Sequence, residues 1–137
     1  MVPWRVRLSF RMFIPSKPTR YGIKLYCVCE AKSGYICKLD DCTVKRMSAD
    51  FLGKGHCIYM DSCFSKVELF EWLREGQTIA VATVIKGREG NPGSLHPNLL
   101  KLKKGESAFR RRNNLLFYRF KDKKKDICMM STKHTAG

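Results

Sequence analysis

The chain contains no apolar run near the roughly 20 residues a membrane-crossing helix needs, so no membrane partner is expected. It has no N-terminal secretory pattern, because Arg5, Arg7 and Arg11 interrupt the start before an apolar stretch develops. It has seven cysteines, at positions 27, 29, 37, 42, 57, 63 and 128, but no Cys-x-x-Cys pair and no histidine at ligand spacing from a pair except His56 beside Cys57. A structural zinc site draws four convergent ligands, usually from close pairs. Disulfide frameworks belong to oxidising compartments. The expectation is an intracellular, soluble chain with buried or idle thiols. Internal repeats and low-complexity segments are absent as well.

Acidic residues are also scarce: 12 Asp and Glu face 27 Lys and Arg, a net charge of +15. The imbalance is not uniform. Residues 1–29 carry six basic groups and no acid, residues 30–100 carry nine of each, and residues 101–137 carry twelve basic and three acidic groups. Two basic ends flanking a neutral middle suit a polyanion, with counterion release from phosphates driving association. An anionic protein partner, or a merely solvated basic face, would leave the same composition.

In 137 residues that are 44% apolar there is room for one small core. Residues 5–13 alternate, with Val6, Leu8, Phe10 and Met12 on one face and Arg5, Arg7, Ser9 and Arg11 on the other, the period of a half-buried strand. Residues 21–29 read as a second strand with Ile23, Leu25, Cys27 and Cys29 inward, and Lys32-Ser33-Gly34 as a turn into a third. Asp40 or Asp41 can cap a helix through residue 52. Residues 56–60 form a short strand ending at Asp61. Ser65 and Glu68 are spaced as a capping box for a helix over 65–75, closed by Gly76. Residues 78–86 are β-branched and strand-like. Beyond a Gly/Pro loop at 88–97 come a brief helix at 98–104 and a hairpin of 107–121 with 126–131. The fold class is mixed α/β, divided into residues 1–87 and a β-rich basic segment, 88–137.

Two sets of residues carry candidate chemistry. Arg110, Arg111 and Arg112 with Lys123, Lys124 and Lys125 would contact phosphates, and Arg5, Arg7 and Arg11 form a second strip on one strand face. Phe109, Phe117 and Tyr118 interleave with the first set, but their alternating spacing suits core packing better than base stacking. Asp61 is the other candidate. A carboxylate ending a short strand and followed by a helix recurs in folds where two divalent cations drive in-line phosphoryl transfer.

The blocks Val2-Pro3-Trp4-Arg5, Leu8-Ser9-Phe10, Ile14-Pro15-Ser16-Lys17-Pro18 and Tyr21-Gly22-Ile23-Lys24, with Ile58-Tyr59-Met60-Asp61 and Phe64-Ser65, carry a resemblance to the piggyBac transposase family. Leu102 through Arg111, Lys121-Asp122-Lys123-Lys124 and Met130-Ser131-Thr132-Lys133-His134 continue it in the family's order. The resemblance implies an incomplete RNase H-like core over 1–87 and an inserted basic β-rich segment over 88–137. It implies that Asp61 matches the second of three catalytic aspartates, which hold Mg²⁺ in intact members for cut-and-paste transposition at TTAA sites, and that the location is nuclear.

The sequence departs from the family at several points. The family's first aspartate lies upstream of the block that opens at Met1 and its third downstream of the Ser-Thr-Lys-His block, so Asp61 would be the sole remaining, vestigial metal ligand. About ten residues usual between Cys37 and Lys38 are missing, Ser62 stands where the family has Asn, and Val6 where it has Gly. One carboxylate does not hold Mg²⁺ against its hydration, so no cofactor and no independent catalysis are expected of this chain. What is expected is residual DNA binding. The alternatives are a non-functional relic, and a share in a Mg²⁺-dependent transposase completed by a longer form or by pairing with an intact transposase chain.

Overall fold

The computed structural model describes residues 2–3, 9, 11–15, 17–40, 43–123 and 125–135. The chain divides into two compact units, Met1–Asp50 and Phe51–Gly137.

In the first unit, β1 (Val2–Pro3), β2 (Met12–Phe13) and β3 (Tyr21–Ile23) form an antiparallel sheet in the order β1-β3-β2. Gly22 of the central strand is paired to Pro3 on one side and Met12 on the other. A second, two-stranded sheet joins β4 (Tyr26–Cys29) to β5 (Ile36–Asp40). The expected single strand over 21–29 is therefore two strands in two sheets, with the change of sheet at Lys24 and Leu25. Its period was right and its phase inverted. Cys27 and Cys29 are exposed while Tyr26 and Val28 are half-buried, and a phase slip of one residue exchanges the faces of a strand. Cys37 and Cys63 are exposed too, and Cys57 and Cys128 half-buried, so burial does not describe these thiols.

The β4–β5 turn is organised by Glu30. Its carboxylate accepts from the Lys32 and Ser33 amides at 3.1 and 2.7 Å and from the Ser33 hydroxyl. The Ser33 hydroxyl, then the two amides, hold this carboxyl below its ordinary range. The backbone reverses at Gly34, in the left-handed region at φ 73°. β5 runs unbroken through Cys37 and Lys38, with a register shift opposite, at Val28 and Cys29. Because Asp40 is still paired in that strand, the helix expected from 40 or 41 starts later. It is α1 (Val44–Ser48), with Thr43 at the N-cap position but without a side-chain cap bond, and it continues into a 3₁₀ segment at Ala49–Phe51. Of the strand expected over 5–13, Met12–Phe13 are strand, whereas Ser9 lies in a turn and Arg11 outside regular structure; the other positions lie outside the described residues.

The second unit is a five-stranded mixed sheet. β6 (Cys57–Met60), α2 (Val67–Glu75) and β7 (Ile79–Thr83) form a βαβ unit with β6 and β7 parallel. β8 (Ser107–Arg112), β9 (Leu115–Lys121) and β10 (Asp126–Ser131) then add antiparallel strands, giving the order β6-β7-β10-β9-β8. Cross-strand partners share a face. The register puts Ala82, Met130 and Phe117 in one row, with Ala80 and Leu115 two residues along on the same face. All five are buried, as are Phe70 and Leu73 of α2. The two alanines leave room for the helix, and each large apolar side chain buried there contributes about 1.5–3 kcal/mol. Strands on both sides of residue 87 belong to this one sheet.

Three local expectations are revised. Ser65 does not cap α2: its hydroxyl donates to the Ser62 carbonyl at 3.0 Å, and Lys66 is the N-cap without a side-chain bond. No helix forms over 98–104; the only helical turn nearby is a 3₁₀ segment at Gly93–Leu95, between Pro92 and Pro97. Residues 107–121 are two strands, because Asn113 takes a left-handed backbone (φ 53°) and turns the chain in the two residues Asn113-Asn114. Gly76 does end α2, but for a steric reason. A Cβ there would stand 2.9 Å from Leu52 Cδ2, and the left-handed residue is the next one, Gln77 (φ 50°).

Candidate nucleic-acid interface

Asp61 follows the C-terminal end of β6 and is exposed. Its Oδ1 accepts from the Ser62 amide at 2.6 Å, and the Cys63 thiol approaches Oδ2 at 3.7 Å. The turn is closed by the Phe64 amide donating to the Asp61 carbonyl at 3.1 Å, and by the Arg88 guanidinium donating to the Cys63 carbonyl at 3.4 Å. Among the described residues no three His, Cys, Asp or Glu side chains are grouped as metal ligands. The residues described here do not by themselves fit a Mg²⁺ site, because that ion keeps its water unless several anionic oxygens replace it.

The sheet topology decides which basic residues share Asp61's surroundings. β6 and β7 run parallel, and β10 runs against β7. The end of the sheet carrying Asp61 therefore also carries Lys86 beyond β7 and the β9–β10 turn, with Lys121, Lys123 and Lys125. Lys123 and Lys125 are exposed, and the turn is closed by the Asp122 amide donating to the Lys125 carbonyl at 2.9 Å. Arg110, Arg111 and Arg112 lie on β8, at the outer edge, and run toward the opposite end. The length of β9 separates Arg112 from the lysine turn by about 20 Å. The two clusters expected to act together are thus at opposite ends of one sheet. Lys124, Arg5 and Arg7 lie outside the described residues. Arg11 stacks its guanidinium over the Tyr21 ring at 4.8 Å, and Tyr21 lies 4.8 Å from the Phe13 ring.

Sequence reasoning missed the ion cluster that builds the lysine end. Arg119 is buried and Asp126 half-buried with its side chain mostly covered, the guanidinium lying 3.3 Å from the carboxylate, and Lys86 and Lys121 also reach Asp126 at 3.3 Å. Burial opposes the charge on Asp126, but Lys121, Lys86 and Arg119 outweigh it and hold the carboxyl below its ordinary range. Arg119 also donates to the carbonyls of Leu95 and Leu100 at 3.0 and 2.7 Å, fastening the 93–100 loop to β9. The signal was available: Arg119 stands two residues after Phe117 and four after Leu115, on the row that faces inward. Under that loop is a cavity of about 380 Å³, lined among others by Phe117, Arg119, Met129 and Cys128. Burial pushes the Cys128 thiol upward. Of the aromatic residues interleaved with the basic ones, Phe117 is buried, Tyr118 half-buried and Phe109 exposed.

The opposite end forms an open groove of about 260 Å³ between the close of α2, the β8–β9 turn and the segment after β10. Arg74, Gln77, Arg111, Asn114, Thr132 and His134 line it. Arg111 is folded over the strand end, its Nε donating to the Asn113 carbonyl at 2.8 Å and its Nη2 to Asn114 Oδ1 at 3.4 Å. Arg112 lies beside it in a smaller hollow with Glu71 and Arg74. Ser131 Oγ accepts from the Lys133 and His134 amides at 3.0 and 3.2 Å, which occupies its lone pairs. His134 Nδ1 lies 2.8 Å from this hydroxyl; in the tautomer in which Ser131 donates to it, the ring N–H is on Nε2.

These features define a mixed α+β, strand-rich domain with a strand-end carboxylate and two basic sheet ends. A family model described as Transposase IS4 matches residues 1–45 and 40–137, and the chain belongs to that family. It is also similar to a solved structure, the piggyBac transposase in a synaptic complex with hairpin DNA. The TM-score is 0.85 at 26% identity, over 98% of this chain and 32% of that one. The chain thus spans about a third of the length of the transposase it resembles. Among the described residues no helix is long and apolar enough to cross a membrane.

Proposed function

We propose that this chain is a DNA-contacting domain of a piggyBac-type transposase, built on an incomplete RNase H-like core, that binds DNA and does not cut it alone. The observation that carries this reading is the sheet end where Asp61 shares its surroundings with Lys86, Lys121, Lys123 and Lys125. The βαβ unit supports it by delivering a carboxylate at the end of a strand with a helix behind it. The resemblance to a transposase solved with DNA supplies the class of ligand. Catalysis then requires further carboxylates beside Asp61, from another segment or from a second transposase chain. A nuclear location follows from the same reading.

The test is binding of the purified chain to a TTAA-containing duplex and to a scrambled duplex across a salt series. Binding that weakens steeply with salt supports a phosphate interface, since each neutralised phosphate adds about −0.9 to the slope of log K against log salt. Tighter binding to the TTAA duplex that survives higher salt extends the reading to sequence recognition. No binding at low salt refutes it. Mg²⁺-dependent nicking by the chain alone, abolished in Asp61→Asn, refutes its catalytic half.

A further inference from the structure

We infer that the groove closed by Arg74, Arg111 and His134 is a seat for a backbone phosphodiester, distinct from the lysine end of the sheet. The inference rests on the DNA-binding reading and deepens it by naming a second contact surface.

Three separate elements converge there, and what they bring is mostly donors. Arg74 and Arg111 supply guanidinium groups, and Gln77 and Asn114 supply amides. His134 supplies an Nε2–H in the tautomer in which Ser131 donates to Nδ1. No carboxylate lines this groove; Glu71 lines the adjoining hollow together with Arg74 and Arg112. A donor-rich recess without an acid selects an acceptor-rich, anionic ligand, and paired guanidinium groups match phosphate oxygens in fixed geometry. The volume of about 260 Å³ exceeds a bare phosphate and has room for the attached sugar.

The backbone has been bent to build this place. Among the described residues the only non-glycine left-handed positions are Gln77 (φ 50°), which lines the groove, and Asn113 (φ 53°), which lines the adjoining hollow and precedes Asn114 of the groove. Asparagine adopts that conformation readily, whereas glutamine does so at a cost, and such cost concentrates at functional sites. The α2 carbonyls that would repel an anion are occupied. The Trp72, Leu73 and Arg74 carbonyls accept from the Gly76, Thr78 and Gln77 amides.

The test follows the side-chain N–H signals of Arg74, Arg111 and His134 by NMR in the wild-type chain, titrated with inorganic phosphate and separately with duplex. In parallel, duplex affinity is measured over a salt series for Arg74→Gln and His134→Phe. The expected result is that the duplex shifts all three signals, and that Arg74→Gln lowers the salt slope by about 1 while weakening all sequences alike. The Phe variant, which removes the Nε2–H, should weaken binding severalfold. Phosphate alone shifting the same signals identifies an anion seat independent of the duplex and supports the class of ligand. If the wild-type chain binds duplex with a steep salt slope yet these signals and both variants are unmoved, the groove is not a contact surface, while the DNA reading stands. If the wild-type chain binds no duplex and phosphate shifts nothing, both fall.

Discussion

Replacing Asp126 with Asn should be among the most damaging single changes in the second unit. The carboxylate is 7% exposed and faces a guanidinium that is 3% exposed. Asn keeps the shape and removes the charge, which leaves Arg119 buried without its counterion. Lys86 and Lys121, at 44% and 30% exposure, can turn to water, but Arg119 is tied to the Leu95 and Leu100 carbonyls and cannot. Breaking a buried pair by removing one partner costs about 3–5 kcal/mol. In a domain of this size each kcal/mol lowers Tm by about 4–8 °C, so the variant should melt at least about 12 °C lower or be unfolded at room temperature. Urea unfolding followed by far-UV circular dichroism and Trp72 fluorescence measures it. Asp122→Asn, four residues away in the exposed turn, is the control and should lie within about 0.5 kcal/mol of wild type. If Asp126→Asn matches that control, the pair is not buried in solution and the account of the loop anchored by Arg119 fails.

Three further outcomes are expected. Because the Asp126 carboxyl sits below its ordinary range, its contribution is fully present above about pH 4 and is lost as pH falls through the folded value; acid titration of stability should show a step that Asp126→Asn lacks. Asn113→Gly should be tolerated, whereas Asn113→Val should cost about 1–2 kcal/mol, because a β-branched residue resists the left-handed turn; paired urea curves decide it. A thiol reagent at neutral pH should modify exposed Cys27, Cys29, Cys37 and Cys63 quickly and Cys128 slowly, its thiol being held protonated by burial, as peptide mapping over time would show.

The second unit was largely legible from the sequence, because its signals are local. The strand before Asp61, the helix over 67–75 and the β-branched strand after it each carry a clear period, and Asp61 was placed at a strand end. The failures were of two kinds. Phase at Cys27 and Cys29 cannot be read in a short two-stranded ribbon, where either face will serve. Capping at Ser65 was misread because a serine hydroxyl has more than one nearby acceptor and chose the Ser62 carbonyl. The turn at Asn113-Asn114 was readable and overlooked beneath the run of arginines. The separation of Arg110–Arg112 from Lys123–Lys125 was not readable at all: ten residues of sequence say nothing about which end of a sheet each cluster reaches until the strand order is known.

The position of β8 has a consequence for crowding. It is the outer strand on one side of the sheet, the kind of edge along which copies of a chain stick together. Three successive arginines on it mean that a second copy approaching this seam would bring six guanidinium groups together along a strip one strand wide. Repulsion of that kind keeps copies apart in free solution. It is strongest where counterions are few and fades within a Debye length as salt rises. The edge is therefore guarded by charge rather than by shape, and its protection is set by the ionic surroundings of the chain.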